Sequence, residues 1–185
     1  MATQVKTGRS GAELLRWIQI RAARVAVGPS AVRNQGAPGT VHAAREYLGN
    51  LSPALFATTS GDAFKRSLDS STRGLQKALP AKSASWGLSR KLLNIYLREC
   101  LYTHYLRDSY GLARSESYLE VPLDSITGGM LRDLYPDLPR WPGVKHLDPA
   151  TSALYQDAAE TEAKTRHKDL ARIHLDAMWW GTRRT

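Results

Sequence analysis

Apolar residues recur at three- and four-residue spacing through most of the chain, and strict apolar–polar alternation is missing, so the elements it predicts are helices. Leu14, Leu15, Ile18, Ala22 and Val25 mark a first helix, which Gly28-Pro29 stops. A polar turn rich in Gly and Pro covers 33–39, and Thr40 then reads as the N-cap of a short helix ending near Leu48. Residues 61–79 make a third helix, ended by Pro80. The longest helix is predicted over 85–107. Leu88, Leu92, Ile95 or Tyr96, and Cys100 form its apolar stripe, and Gly111 stands just beyond its end.

The helical pattern breaks at 118–124. Pro122 biases Val121 toward an extended backbone, so the chain runs straight into Asp124, which can cap a helix over 125–134. Four prolines and Gly143 make 136–149 a loop. Two closing helices are predicted over 151–164 and 168–180. With no internal repeat and no long linker, the expected architecture is one all-α domain over residues 1–185.

Composition adds a partner class. The chain has 185 residues, enough for a real core, and 42% of them are apolar, which suits a globular protein. Lys and Arg number 26 against 17 Asp and Glu, a formal charge of +9. That excess favours a polyanion, either nucleic acid or an acidic membrane surface. The single cysteine, Cys100, allows no intrachain disulfide and sits in an apolar run as a small core residue would. No apolar run approaches the ~20 residues of a membrane span. The opening residues lack the apolar stretch of a signal peptide, so a cytosolic location is expected. None of the five histidines forms a close pair with the single cysteine, and neither a metal nor a cofactor is expected.

Three groupings could carry chemistry. Lys91 and Arg98 are seven residues apart, close to two helical turns, so they share one helix face, with Tyr102 extending it and Asn94 a turn from each cation. Cations interleaved with tyrosine suit phosphate contact and base stacking, and a solvated amphipathic face has the same spacing. Asp124 is an ordinary N-cap by position, and equally a carboxylate that a stiff backbone could aim at a developing positive charge. Near the C-terminus, Asp176 and Trp180 are four apart and face the same way, as a base-reading carboxylate and indole would or as core residues would. Arg98 and His104 also fit the Arg-x5-His spacing of small helical ribonucleases.

Taken together, the segments Lys91-Leu92-Leu93-Asn94-Ile95-Tyr96-Leu97-Arg98 and Leu119-Glu120-Val121-Pro122-Leu123-Asp124 resemble the archaeal GO glycosylase family. This is a branch of the helix-hairpin-helix DNA glycosylases that acts on 8-oxoguanine. Gln35, before a Gly-containing turn, and His174-Leu175-Asp176 with Trp180 extend the likeness over most of the chain. The resemblance implies a helix-hairpin-helix DNA glycosylase fold, with Lys91 as a Schiff-base nucleophile and Asp124 as its catalytic partner. It also implies a base-reading set of Gln35, Arg98, Asp176 and Trp180, no cofactor, and damaged DNA as partner, with neither membrane nor protein partner expected. The chain departs from the family in two places. Arg98 stands where lysine is usual, and Trp86-Gly87-Leu88 precedes Lys91 in place of the superfamily's Leu-Pro-Gly-Val-Gly hairpin. Trp86 and Trp180 are both candidates to stack on the damaged base. The alternatives are a helical ribonuclease built on Arg98 and His104, and a non-catalytic DNA-binding module of the same fold.

Overall fold

The computed structural model describes residues 9–182, and side chains from 11 to 179. Among the described residues the regular structure is entirely helical. Eight α-helices follow one another: α1 (Arg9–Ala26), α2 (Thr40–Asn50), α3 (Gly61–Ala78), α4 (Trp86–Tyr102), α5 (His104–Tyr110), α6 (Ser125–Leu134), α7 (Pro149–Arg166) and α8 (Leu175–Thr182), with short 3-10 turns between them. The all-α expectation therefore holds.

The helices bury two apolar clusters that meet along α4. The larger draws on α1 to α5 and includes Ala23, Leu48, Phe64, Leu68, Leu92, Tyr96 and Leu106. The smaller is built by α6, α7, α8 and the extended run before α6, with Val121, Leu131, Tyr155, Ala159 and Leu175. α4 is buried on nearly every side, which is why its sequence reads apolar almost all round. At its start Gly87 is obligatory. A Cβ there would stand 2.1 Å from the Val144 carbonyl oxygen, so the loop before α7 packs directly on the α4 backbone.

Several predicted boundaries shift, each for a local reason. Thr40 is the first residue of α2 and not its cap. Gly39 caps it in the left-handed region at φ 85°, and the Thr40 hydroxyl hydrogen-bonds Ala37 O and Ser83 Oγ instead. The predicted 85–107 helix is two helices. Thr103 turns extended (φ −86°, ψ 107°) while its hydroxyl donates to Glu99 O at 2.7 Å, ending α4, and α5 starts afresh and stops at Gly111 (φ 67°). The predicted 168–180 helix begins only at Leu175, because the preceding residues are drawn out of helix to deliver Arg172 and His174 to neighbouring chain. In α1 the positions Leu14 and Val25, predicted to face inward, are 50% and 52% exposed; Ala22 is buried as predicted, and Ala23 and Ala26 are buried with it.

No helix among the described residues is long and apolar enough to cross a membrane.

Candidate active site

The two apolar clusters leave a cleft of ≈ 380 Å³ between them. One wall comes from the C-terminal end of α1 and the turn after it (Val25, Ala26, Gly28, Ala31). The opposite wall comes from Pro122, Asp124 and α8, and α4 forms the floor with Lys91, Ile95, Arg98 and Tyr102.

Lys91 and Asp124, about thirty residues apart in sequence, meet here. Lys91 Nζ stands 3.9 Å from Asp124 Oδ2, beyond hydrogen-bond range, and donates at 3.0 Å to the Ala31 carbonyl oxygen. Lys91 is only 9% exposed. Burial disfavours its charged form and pulls its pKa below the ordinary lysine value, with the Asp124 carboxylate pulling more weakly the other way. The Arg98 charge, two turns along the same helix, is answered locally: Nη1 pairs with Asp176 and Nη2 donates to Glu99 at 3.0 Å.

Asp124 is an N-cap and a cleft residue at once, and its two oxygens divide the work. Oδ1 accepts from the backbone N–H groups of Ile126 and Thr127 at 2.8 and 3.0 Å, while Oδ2 faces Lys91. The cap fixes the carboxylate at the positive end of α6.

The extended run 119–124 belongs to no sheet, so its backbone groups need side-chain partners. Gln156 of α7 supplies a two-way clamp, accepting from Val121 N–H at 3.0 Å and donating to Val121 O at 2.8 Å. Arg172 donates to Leu119 O and pairs with Glu160. Glu120 accepts from Asn94 of α4 at 3.1 Å and pairs with the buried Arg90, whose guanidinium also reaches Asp69 and Thr72 and covers the Trp86 ring. Sequence reasoning named neither Gln156, Arg90 nor Arg172. Each reaches a partner more than twenty residues away, and no local pattern marks it.

The remaining candidates divide. Arg98 and Asp176 reach the cleft as a buried ion pair. Asn94, expected near the two cations, is turned to Glu120. Gln35 lies on the turn after α1, outside the cleft lining, with its Oε1 buried and without a hydrogen-bond partner. The Trp180 side chain lies outside the described ones. Trp86 is spent on Arg90 and does not line the cleft, so among the described side chains Tyr102 is the aromatic that does. His104 is exposed on α5, paired with Asp108 at 3.0 Å, and the cleft that holds Arg98 does not include it. Among the described residues no cluster of His, Cys, Asp or Glu could hold a metal ion. No family model, curated protein or solved structure matches this chain.

Proposed function

We propose that the protein is a base-excision DNA glycosylase of the helix-hairpin-helix type with lyase activity, acting on an oxidised purine of the 8-oxoguanine kind through Lys91. The observation that carries this reading is the pairing itself: a buried lysine of lowered pKa, beside a carboxylate too distant to hydrogen-bond it, at the base of a cleft. A structural ion pair is built the other way, with close contact and charge retained. Lysine of this kind is instead suited to act as an amine nucleophile.

The steps follow from the placement. Damaged DNA presents an extruded nucleotide to the cleft, at a cost of a few kcal/mol that a lesion reduces. The neutral Lys91 amine attacks the sugar C1′, and the bond from C1′ to the base breaks with its electrons leaving on the base. Asp124 Oδ2 faces the cationic sugar and takes up the proton released by the amine. Opening of the sugar ring leaves an iminium on Lys91, from which β-elimination cuts the strand. Arg98, held by Asp176, presents donors to the base edge, and Trp180 is the further base contact that the sequence resemblance implies; Gln35, outside the cleft lining, is not part of the proposed set.

Borohydride trapping tests this directly. Protein incubated with a duplex bearing 8-oxoguanine and reduced with borohydride is expected to give a covalent protein–DNA adduct that Lys91→Gln abolishes. Wild-type protein that neither traps nor releases a base from any of several lesions overturns the reading.

A further inference from the structure

The cleft does not end at the Arg98–Asp176 pair. Beyond it stand Tyr102 and Val25, which line the cleft and are nevertheless 48% and 52% exposed. Tyr102 lies eleven residues after Lys91, about 16 Å further along α4 at 1.5 Å per residue, so it sits too far out for a base whose sugar is held at Lys91. Its ring is nonetheless fixed. Tyr102 Oη and His174 Nδ1 are 2.9 Å apart, and His174 Nε2 stands 2.7 Å from Glu116 Oε1. This pattern is satisfied throughout when the phenol donates to Nδ1 and Nε2–H donates to the carboxylate. The two rings lie nearly parallel, 3° between planes.

From Val25 the outer side of α1 continues away from the cleft through Arg21 to Trp17, each four residues from the last. Trp17 is 59% exposed, and Arg21 and Arg24 are exposed too. α1 carries Arg9, Arg16, Arg21 and Arg24 against the single acid Glu13. The ridge from Trp17 to Val25 is about 12 Å long, the span of three or four stacked nucleotides at ~3.4 Å each. Exposed aromatic faces interleaved with arginine are what sequence-tolerant binding of unpaired bases requires.

We infer that Tyr102, Val25, Arg21 and Trp17 form a single-strand track leading out of the cleft, so that the substrate of the proposed reaction carries unpaired nucleotides beside the lesion. The proposal rests on the glycosylase reading and names the strand form that it left open. Charge complementarity and continuity with the cleft select nucleic acid as the occupant. Of the acids around the track, Glu99 is engaged by Arg98 and Glu116 by His174, and Glu13, four residues before Trp17 on the same side of α1, stands against the four arginines of that helix.

Fluorescence anisotropy decides the matter with one labelled strand carrying a tetrahydrofuran abasic analogue, used alone, in an unpaired bubble and in full duplex. Wild-type protein is expected to bind the single strand and the bubble at least as tightly as the duplex. Trp17→Ala and Tyr102→Ala each lower the ratio of single-strand to duplex affinity about tenfold, while Tyr102→Phe, which keeps the ring, does not. Arg21→Gln reduces the steepness of the single-strand salt dependence by about 0.7. Unchanged ratios in both alanine variants overturn the track. If the same wild-type protein still traps on duplex, the glycosylase reading survives that result. A Trp17-dependent dimer in sedimentation also overturns it, since the ridge is then a protein interface. Wild-type protein that neither binds any of the three DNAs nor traps removes both proposals together.

Discussion

The side chain on which the proposed chemistry turns is Lys91, and its position is unfavourable for stability. A buried ammonium with one carbonyl contact at 3.0 Å and a carboxylate at 3.9 Å recovers only part of its lost hydration. Lys91→Met, which keeps the length and removes the charge, is therefore expected to stabilise the fold by about 1 kcal/mol at neutral pH while abolishing trapping. The sign follows from the direction of the shift. The folded pKa lies below the unfolded one, so the penalty is complete below the folded value and disappears as pH approaches the ordinary lysine range. The gain measured by thermal denaturation should accordingly shrink at high pH. A second test uses Asp124, whose carboxylate opposes the lowering. Asp124→Asn keeps a capping side chain but removes the charge, so the alkaline-going rise of the trapping rate should move to lower pH. A midpoint that stays fixed or moves up would show that Asp124 does not act on Lys91 electrostatically.

Between residue and cleft stand the elements, and here the extended run before α6 matters most. Its direction was readable from Pro122, and the capping role of Asp124 from the helix that follows. The devices that hold it were not. Gln156 is one polar residue among many on α7, and only folding shows that both of its amide atoms serve Val121. Gln156→Ala leaves a buried N–H and a buried carbonyl unpaired and should cost about 2–3 kcal/mol by chemical denaturation. It should also slow trapping, since Asp124 lies three residues further along the run. A stability loss with an unaffected trapping rate would separate the clamp from the site. The same distinction explains the other boundaries. Gly28-Pro29, Pro80 and Gly111 end helices through their own backbone preferences, which a sequence displays. Thr103 ends α4 with no glycine or proline, and 167–171 leaves helix because Arg172 and His174 find partners across the molecule. Leu14 and Val25 misled for a related reason. Helical periodicity identifies an apolar stripe, but the face that is buried depends on which neighbours arrive, and α2 and α4 cover the alanine side of α1.

At the scale of the whole molecule the question is where the excess positive charge acts. Reading Lys91 and Arg98 as a phosphate-binding face fails on the structure, since Lys91 is buried and Arg98 is held by Asp176 and Glu99. Neither cation has charge left over for a phosphate. The surplus lies outside the cleft, on exposed arginines such as Arg21 and Arg24, so the proposed function assigns DNA affinity and base chemistry to different residues. That separation has a measurable form. With about six phosphates contacted, affinity for a lesion-bearing duplex should fall roughly a thousandfold between 50 and 200 mM salt. Lys91→Met should leave the slope of log affinity against log salt unaltered, and so should Arg98→Ala, whatever either does to affinity or stability. Arg24→Ala should reduce the slope by about 0.9, the share of one phosphate. A flat salt dependence in the wild-type protein would mean that the +9 charge serves some end other than DNA. A slope that drops with Arg98→Ala would place a phosphate inside the cleft, where the proposed chemistry requires a base.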